Sequence, residues 1–342
     1  MQNVYSILEM VSLSVMKNAT NRIKITTPSR LHFSLIDLNG KLGRIDGGFG
    51  LAINKPYFQI IAEPSSEIIV ESHTYQERTT ETVKKFQQSY PFPGIKLKIV
   101  NEIPNHSGFG SGTQLSLAIA AAVNSLYKLD LSLLELANAV GRGGTSGIGV
   151  AAFENGGFIV DGGHQYPEQK ASFLPSAAVG DIAPPPILAR YTFPSWPLLI
   201  VIPNCLKIYG EAELELFRTL CPQPESVAPQ LCHLLLLKIL PAVLEADICS
   251  FGAALNSIQN FGWKKVEIDA QGIELQQTLR FLQCNGALGA GVSSWGPAIC
   301  AISHDINLLK QKTENYLSTL PNGGTCFITY ANNRGVEIEK VD

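Results

Sequence analysis

The sequence predicts an α+β protein of two domains, and three features of the chain lead to that prediction. Its 342 residues suit two domains of ordinary size, each able to bury its own core. Both halves interleave segments of two-residue alternation with longer segments of helical periodicity. An irregular stretch over 164–190 contains Pro184-Pro185-Pro186, which cannot lie inside a helix or a central strand. We therefore predict an extension over 1–21 and domains over 22–185 and 186–342.

The first half is predicted to begin with a group of strands and one polar helix. The strands are expected over 22–26, 31–36, 57–62, 67–71 and 95–100, and the helix over 79–89. Residues 43–50 are dense in glycine and carry Arg44 and Asp46. They form either a wide hairpin with the two charges paired at its surface, or a segment that a ligand can approach closely.

The strand at 95–100 leads into the stretch around which the chain is organised, Pro104–Gln114. Its glycines alternate with other residues and precede an alanine-rich helix predicted over 114–127. Glycine permits a positive φ and close backbone approach, and the free N–H groups of a helix N-terminus favour an anion. The order of strand, glycine loop and helix predicts a phosphate site, with Ser111 or Thr113 as helix cap, although a plain tight turn has a similar composition.

Two further glycine-rich segments follow. The first, 141–149, comes after a helix predicted over 132–140 and places Arg142 between two glycines, where it is a candidate for binding phosphate. A hairpin is predicted over 156–163, in which Asp161 either caps the turn or contributes to a site. The last segment, 291–298, contains Ser293, Ser294 and Trp295. We interpret the two serines as both helix caps and phosphate contacts, and the tryptophan either as a core residue or as a contact for the ring of an aromatic ligand.

The second half suits an α/β sandwich with a mostly antiparallel sheet. Strands are predicted over 198–202, 286–290, 299–302 and 324–330, and helices over 211–220, 228–245, 248–261, 272–284 and 305–318.

Composition argues against several classes of protein. The net charge of −3 gives no indication of nucleic acid or an anionic membrane as partner. The seven cysteines are odd in number and form no C-x-x-C pair, so we expect reduced thiols in a cytoplasmic protein. The first twenty residues lack the features of a secretory signal. No apolar run is expected to span a bilayer, and 231–240 is interpreted as part of a buried helix.

Taken together, the motifs resemble the GHMP superfamily of small-molecule kinases over about 22–330. Within it, they look closest to a non-kinase branch, β-ribofuranosylaminobenzene 5′-phosphate synthase of methanopterin biosynthesis. The segments that carry this resemblance are Pro28–Phe33, Ile36–Leu38, Gly43–Gly48, Gly141–Gly143, Gly156–Gly163, Pro184–Pro186 and Ser293–Pro297. The resemblance implies a ribosomal protein S5 domain 2-like N-terminal domain and a ferredoxin-like α/β sandwich at the C-terminus.

One position separates the branches. Many kinases of the superfamily resemble P-S-G-x-D, whose aspartate orients or deprotonates the substrate hydroxyl, but this chain has Thr145-Ser146-Gly147-Ile148-Gly149. Glycine cannot accept a proton, so that kinase mechanism lacks its base here. Some kinases of this fold manage without the acid, and an ATP-dependent kinase therefore stays the alternative. A catalytically silent paralogue that binds a phosphosugar is a third hypothesis.

The resemblance to the synthase implies that phosphoribosyl pyrophosphate reacts with 4-aminobenzoate, or a similar hydroxybenzoate, with loss of pyrophosphate and carbon dioxide. It also implies Mg²⁺, no organic cofactor and a homodimer. The candidate catalytic residues are Arg30, His32, Asp37, Arg44 and Asp46. The candidate substrate-binding residues are Gly108, Gly110, Ser111, Gly112, Thr113, Arg142, Ser146, Ser293, Ser294 and Trp295. Structural alternatives stay open, with Arg30 as a salt-bridge partner and His32 as a half-buried structural histidine.

Overall fold

Three β-sheets carry the fold in the computed structural model, which describes residues 22–142, 147–179 and 182–341. The predicted extension over 1–21 and the candidate Ser146 lie outside the described residues. The α+β class predicted from the sequence is confirmed.

The first sheet has the strand order β14-β1-β4-β6-β5. Strand β1 pairs antiparallel with both β4 and β14, whereas β5 and β6 are parallel. Residues in β1 alternate between buried and half-buried, which is the pattern that predicted this strand. The strands are β1 Ile23–Thr26, β4 Gln59–Pro64, β5 Ile68–Glu71, β6 Ile95–Asn101 and β14 Glu337–Lys340.

The second sheet has the order β2-β3-β7-β9, and β8 pairs with β3. Its strands are β2 Ser29–Asp37, β3 Arg44–Ile53, β7 Phe158–Asp161, β8 His164–Gln165 and β9 Ile187–Tyr191. Of the two alternatives for 43–50, the wide hairpin is wrong, because this segment is most of β3. Its glycines are required by close packing: a Cβ on Gly50 would lie 2.2 Å from the Leu31 carbonyl oxygen, and one on Gly48 would lie 2.9 Å from His32 Nε2.

The third sheet, order β11-β12-β10-β13, is antiparallel throughout, as predicted for the second half. Its strands are β10 Leu198–Pro203, β11 Gly289–Val292, β12 Ile299–Ile302 and β13 Gly324–Thr329.

Helix α2 is buried on nearly every side, as expected for a helix that is apolar all round. It packs on β1 and β4 and on α4, which in turn covers β2, β3 and β7. The helices are α1 Gln76–Ser89, α2 Ser111–Tyr127, α3 Leu133–Ala139, α4 Gly147–Asn155, α5 Ser176–Val179, α6 Glu211–Leu220, α7 Val227–Leu234, α8 Leu240–Leu244, α9 Ile248–Ile258, α10 Gly262–Asp269, α11 Ile273–Cys284 and α12 Ile306–Thr319, with a π-helical turn Leu235–Ile239 between α7 and α8.

Two strands from the predicted C-terminal domain join sheets of the N-terminal half. Strand β9 pairs with β7, and β14 pairs with β1. The boundary at 185/186 stays a prediction. Beyond it, residues up to Tyr191 still pair with a strand of the N-terminal half, and so does the last strand of the chain.

The helical run Val227–Leu244 departs from the expectation of a buried helix without membrane-spanning length. It is 18 residues long, has a mean hydropathy of 1.8 and is 28% buried. Leu231, Leu235 and Ile239 pack inward at four-residue spacing, whereas Leu236 and Leu237 are exposed. A single apolar helix is a weak indication of a membrane span, since core helices have the same length and composition.

Candidate active site

A cavity of about 340 Å³ lies where the glycine loop, the second sheet and loops of the C-terminal half meet. Its lining includes Arg30, His32, Asp46, Arg142 and Trp295 from the predicted set, together with Ser294 and all five candidates of the glycine loop, Gly108, Gly110, Ser111, Gly112 and Thr113. The structure thus brings together most of the residues singled out in the sequence. Asp37, Arg44 and Ser293 do not line it.

The glycine loop enters α2 through backbone conformations that favour glycine. Gly108 and Gly110 have φ of 84° and 72°. Gly110 is the N-cap, Ser111 is the first helical residue, and no side chain caps the helix. The prediction that Ser111 or Thr113 caps α2 is therefore wrong. The first turn of α2, Ser111–Thr113, lines the cavity, and the positive end of a helix dipole suits an anionic ligand.

Ser293 ties the glycine loop to the second sheet instead of capping a helix. Its Oγ donates to the Gly108 carbonyl at 2.7 Å and accepts from the His32 N–H at 3.0 Å. The N–H of Ser294 donates to the His32 carbonyl at 2.9 Å. Because neither serine begins a helix, the predicted capping role is wrong for both, and their structural role is to fix the loop in place.

We predict that Gly108→Ala disrupts this junction. A Cβ on Gly108 would lie 2.3 Å from the Ser293 carbonyl oxygen, so backbone has to move in addition to the cost of a positive φ. The expected loss of unfolding free energy is about 3 kcal/mol or more, measured by urea denaturation. Gly323→Ala is the matched control, since Gly323 has φ of 63° with nothing within 4 Å of a Cβ; it should cost roughly 1–2 kcal/mol. Equal losses in the two variants would show that the contact does not matter.

Two arginines converge on the first turn of α2. A Cβ on Gly112 would lie 2.3 Å from Arg78 Nη2 and 3.3 Å from Arg142 Nη2. Burial, with a smaller contribution from Arg78, lowers the pKa of Arg142 to about 10. Arg78 forms no salt bridge with any residue in the described part of the chain. Two guanidinium groups beside a helix N-terminus suit a phosphate or pyrophosphate. Sequence reasoning missed Arg78, which lies in a polar helix without a motif.

Arg30 and His32 occupy the wall between the glycine loop and the second sheet. Arg30 donates through Nη1 to the Gly108 carbonyl at 2.7 Å, and burial lowers its pKa to about 10. The pKa of His32 lies well below its usual value because the ring is buried beside the charges of Arg30 and Lys264. His32 is therefore neutral at neutral pH. Of these two side chains, only Arg30 is a cation that can pair with a carboxylate.

Asp46 belongs to a buried charged cluster that the sequence did not reveal. Its carboxylate accepts from Lys170 Nζ at 2.9 and 2.8 Å and lies 2.7 Å from His164 Nδ1. Lys170 is 1% exposed, and His164 Nε2 has no partner among the residues described. The alternative in which Arg44 pairs with Asp46 at the surface is therefore wrong. Both new residues come from the irregular stretch after 163, which has no motif.

Arg44 instead braces the turn that follows β7. Its Nε donates to the Gly162 carbonyl at 2.8 Å and its Nη2 to the Gly163 carbonyl at 2.7 Å. That turn carries Asp161, which lines the cavity. The sequence did not decide whether Asp161 caps the turn or contributes to a site. Burial, with a further contribution from the charge of Asp46, raises the pKa of Asp161 to about 7. Asp37 accepts from the N–H groups of Asn39 and Gly40 at 2.6 and 3.2 Å, a turn contact outside the cavity.

The part of the cavity wall that the C-terminal half supplies, called the aromatic end below, is aromatic and acidic. Trp295, 7% exposed, packs edge-to-face on Trp263 with ring centroids 5.9 Å apart, and Phe217 lies beside both rings. Trp295 is therefore both core and cavity wall. Glu213 and Glu267 complete this end. Glu267 forms a buried ion pair with Lys264, whose ammonium also donates to the Ser294 carbonyl at 3.3 Å.

Comparison with known proteins identifies relatives over nearly the whole chain. Residues 77–157 match the model of the GHMP kinases N terminal domain. A β-ribofuranosylphenol 5′-phosphate synthase of Archaeoglobus fulgidus is 41% identical over 319 residues, 93% of this chain and 99% of the relative. Its counterpart in Methanocaldococcus jannaschii is 38% identical over 329 residues, 92% and 99% of the two chains. The mevalonate kinase of L. major has the same fold, with a TM-score of 0.68 and 14% identity over 91% of this chain and 96% of the kinase.

Proposed function

Since the chain belongs to the β-ribofuranosylphenol 5′-phosphate synthase family of the GHMP superfamily, we propose that it joins phosphoribosyl pyrophosphate to a para-substituted benzoate. The products are a ribosyl-arene 5′-phosphate, pyrophosphate and carbon dioxide. One observation carries the proposal: a single cavity has a cationic phosphate end, a hydrophobic aromatic end and carboxylates in its wall. That combination suits a phosphorylated sugar beside a flat ring.

The bond changes need no strong base. The C1–O bond of the ribose breaks with its electron pair leaving on pyrophosphate, and the ring carbon that bears the carboxylate forms the new bond to C1. The carbon–carboxylate bond then returns its pair to the ring as carbon dioxide departs, so no proton is removed from that carbon. Arg78, Arg142 and the N–H groups of α2 would stabilise the charge on pyrophosphate. Arg30 would hold the benzoate carboxylate until it leaves.

Two carboxylates in the cavity suit the positive charge that develops at C1. Asp46 and Asp161 both line the cavity. Asp161 lies in the turn whose Gly162 carbonyl accepts a hydrogen bond from Arg44. We assign Asp161 the larger part, because the charge of Asp46 is already matched by Lys170. Electrostatic stabilisation by fixed charges is usually the largest contribution to such catalysis.

Magnesium fits this arrangement only together with the substrate. Across residues 22–142, 147–179 and 182–341, no group of three or more His, Cys, Asp or Glu side chains can hold a metal ion. Mg²⁺ at phosphate sites commonly keeps several waters and is bound largely by the phosphates themselves, which the pyrophosphate group of the substrate would supply here. The ion would neutralise charge on the pyrophosphate. No organic cofactor is needed for the bond changes proposed here.

The kinase alternative has less support from the site. Gly149 lies in α4 and offers only its backbone, whose carbonyl accepts from Gln114 Nε2 at 2.8 Å. A residue without a side chain cannot act as the base for a substrate hydroxyl.

We predict that the protein releases labelled carbon dioxide from carboxyl-labelled 4-hydroxybenzoate or 4-aminobenzoate when phosphoribosyl pyrophosphate and Mg²⁺ are present. Trapped radioactivity measures the reaction, and omission of phosphoribosyl pyrophosphate is the control. Turnover of ATP with an alcohol, without release of carbon dioxide, would establish the kinase instead. Neither activity, with phosphosugar binding retained, would indicate a silent paralogue.

The family further suggests a setting for this reaction. We propose a role in the biosynthesis of a tetrahydromethanopterin-type cofactor, in the cytoplasm, by a homodimer. The seven cysteines are free thiols, which suits a reducing compartment. Size-exclusion chromatography with light scattering tests the dimer.

A further inference from the structure

The aromatic end of the cavity contains a carboxyl group, that of Glu213, which has no role in the bond changes proposed above. Glu213 comes from α6 and lines the cavity. Its Oε1 accepts from Trp295 Nε1 at 2.8 Å. Trp295 is its one hydrogen-bond partner among the described residues. One carboxylate oxygen is therefore left to accept from a ligand.

The walls beside Glu213 are apolar and fixed. Phe217 lies one helical turn after it in α6, and Ile208 precedes that helix. The Trp295 ring is held by its hydrogen bond to Glu213 and by edge-to-face packing on Trp263, while its carbonyl accepts from Gln271 Nε2 at 2.6 Å. A rigid apolar slot with one polar group at its end selects a flat ring with a matching substituent.

The charge at the end of the slot determines which substituent matches. Burial raises the pKa of Glu213 to about 7. A buried carboxylate with an unfilled acceptor position is costly, and a hydrogen-bond donor on the ligand offsets that cost. An apolar substituent of equal size leaves the oxygen unpaired.

We propose that Glu213 is a specificity-determining residue, which accepts a hydrogen bond from the para hydroxyl or amino group of the aromatic substrate. This inference rests on the proposed function for the identity of the ring. It assigns the slot, which is the part of the cavity lined by Ile208, Phe217 and Trp295, to the ring, and the Glu213 carboxylate to the substituent opposite the reacting carbon.

The test compares wild type with Glu213→Gln, which keeps an acceptor for Trp295 but replaces the second oxygen with an amide nitrogen. Titrations of tryptophan fluorescence without phosphoribosyl pyrophosphate give dissociation constants for 4-aminobenzoate and for 4-methylbenzoate, a ligand of similar size without a donor. Wild type should prefer 4-aminobenzoate, and Glu213→Gln should weaken its binding by roughly tenfold to a hundredfold while changing that of 4-methylbenzoate about twofold or less. KM for 4-aminobenzoate should rise in parallel.

Glu211→Gln is the matched control, because Glu211 lies in the same helix, is exposed and pairs with Arg218. Glu213→Asp, which keeps the charge but withdraws it by one methylene, should lose the same preference. An unchanged preference in both Glu213 variants, or no binding of either benzoate to wild type, overturns the inference. Failure of the proposed function is distinct, since it appears as a wild type that binds the benzoates but releases no carbon dioxide.

Discussion

Asp161→Asn is expected to lower kcat/KM for the synthase reaction roughly a hundredfold to a thousandfold, the size of effect seen when one electrostatic group is removed from an active site. Asparagine has nearly the same shape and can still accept the hydrogen bond that the Gly163 N–H donates to Oδ1 at 3.0 Å. The negative charge is the main feature lost. Asp269→Asn is the control, since Asp269 is exposed and paired with Lys265. Full activity in Asp161→Asn would remove the carboxylate from the mechanism.

The same residue predicts a pH dependence. Burial raises the pKa of Asp161 to about 7, and only the carboxylate can stabilise positive charge at C1. The rate should therefore rise as the pH passes through about 7 in wild type, and this rise should be absent in Asp161→Asn. Because the pKa of Glu213 is also raised to about 7, the rise should be measured in Glu213→Gln as well, where we expect it to persist.

Stability should change in the opposite direction to activity. The pKa of Asp161 is about 7 in the folded state against a usual 3.8, so the folded state binds more protons between these values. Its contribution to stability is thus present at low pH and is lost as the pH rises through about 7. Above that pH, Asp161→Asn avoids a buried charge and should be more stable by on the order of 2 kcal/mol. Thermal melts of both proteins above about pH 7 and close to the usual pKa of 3.8 measure the difference.

Arg142→Ala should raise the dissociation constant for phosphoribosyl pyrophosphate by roughly tenfold to a hundredfold, the loss expected for hydrogen bonds to a charged group. Arg142 lies with Arg78 at the first turn of α2, where the leaving pyrophosphate is proposed to bind. Isothermal titration calorimetry measures the affinity, and binding of 4-aminobenzoate should not change. Arg280→Ala removes the same charge from an exposed helix surface and serves as control. Normal binding of phosphoribosyl pyrophosphate by Arg142→Ala would show that Arg142 does not contact it.

A second arginine variant tests whether the two guanidinium groups act together. Arg78→Ala should weaken binding of the same ligand, and the double variant should lose less than the sum of the single losses, as neighbouring groups on one ligand do. Additive losses would place the two arginines on separate parts of the substrate.

The backbone conformation of the glycine loop could be predicted because its cause is local. Alternate glycines between a strand and an apolar helix are typical of a loop whose backbone approaches an anion, and Gly108 and Gly110 do take positive φ. The structure of the segment 43–50 was harder to predict, because a run of closely spaced glycines is also typical of a turn. They are in fact required by the close approach of Leu31 and His32 to a fully packed strand, which is a property of the neighbouring strand.

Residues brought in from distant elements could not be found in the same way. Arg78 lies in a polar helix, and Lys170 lies in an irregular stretch, where each looks like an ordinary surface cation. Only the fold places Lys170 on Asp46, 124 positions earlier, and Arg78 beside Gly112. Glu213 likewise belongs to an acidic helix whose other glutamates, Glu211 and Glu215, pair with Arg218.

In the proposed reaction, pyrophosphate and carbon dioxide leave the two substrates in a single turnover. The most direct measurement uses phosphoribosyl pyrophosphate labelled in its pyrophosphate together with carboxyl-labelled 4-hydroxybenzoate, and counts both products over time. We expect equal amounts of pyrophosphate and carbon dioxide at every time point. Release of pyrophosphate without carbon dioxide, or of neither while ATP is consumed, would contradict it.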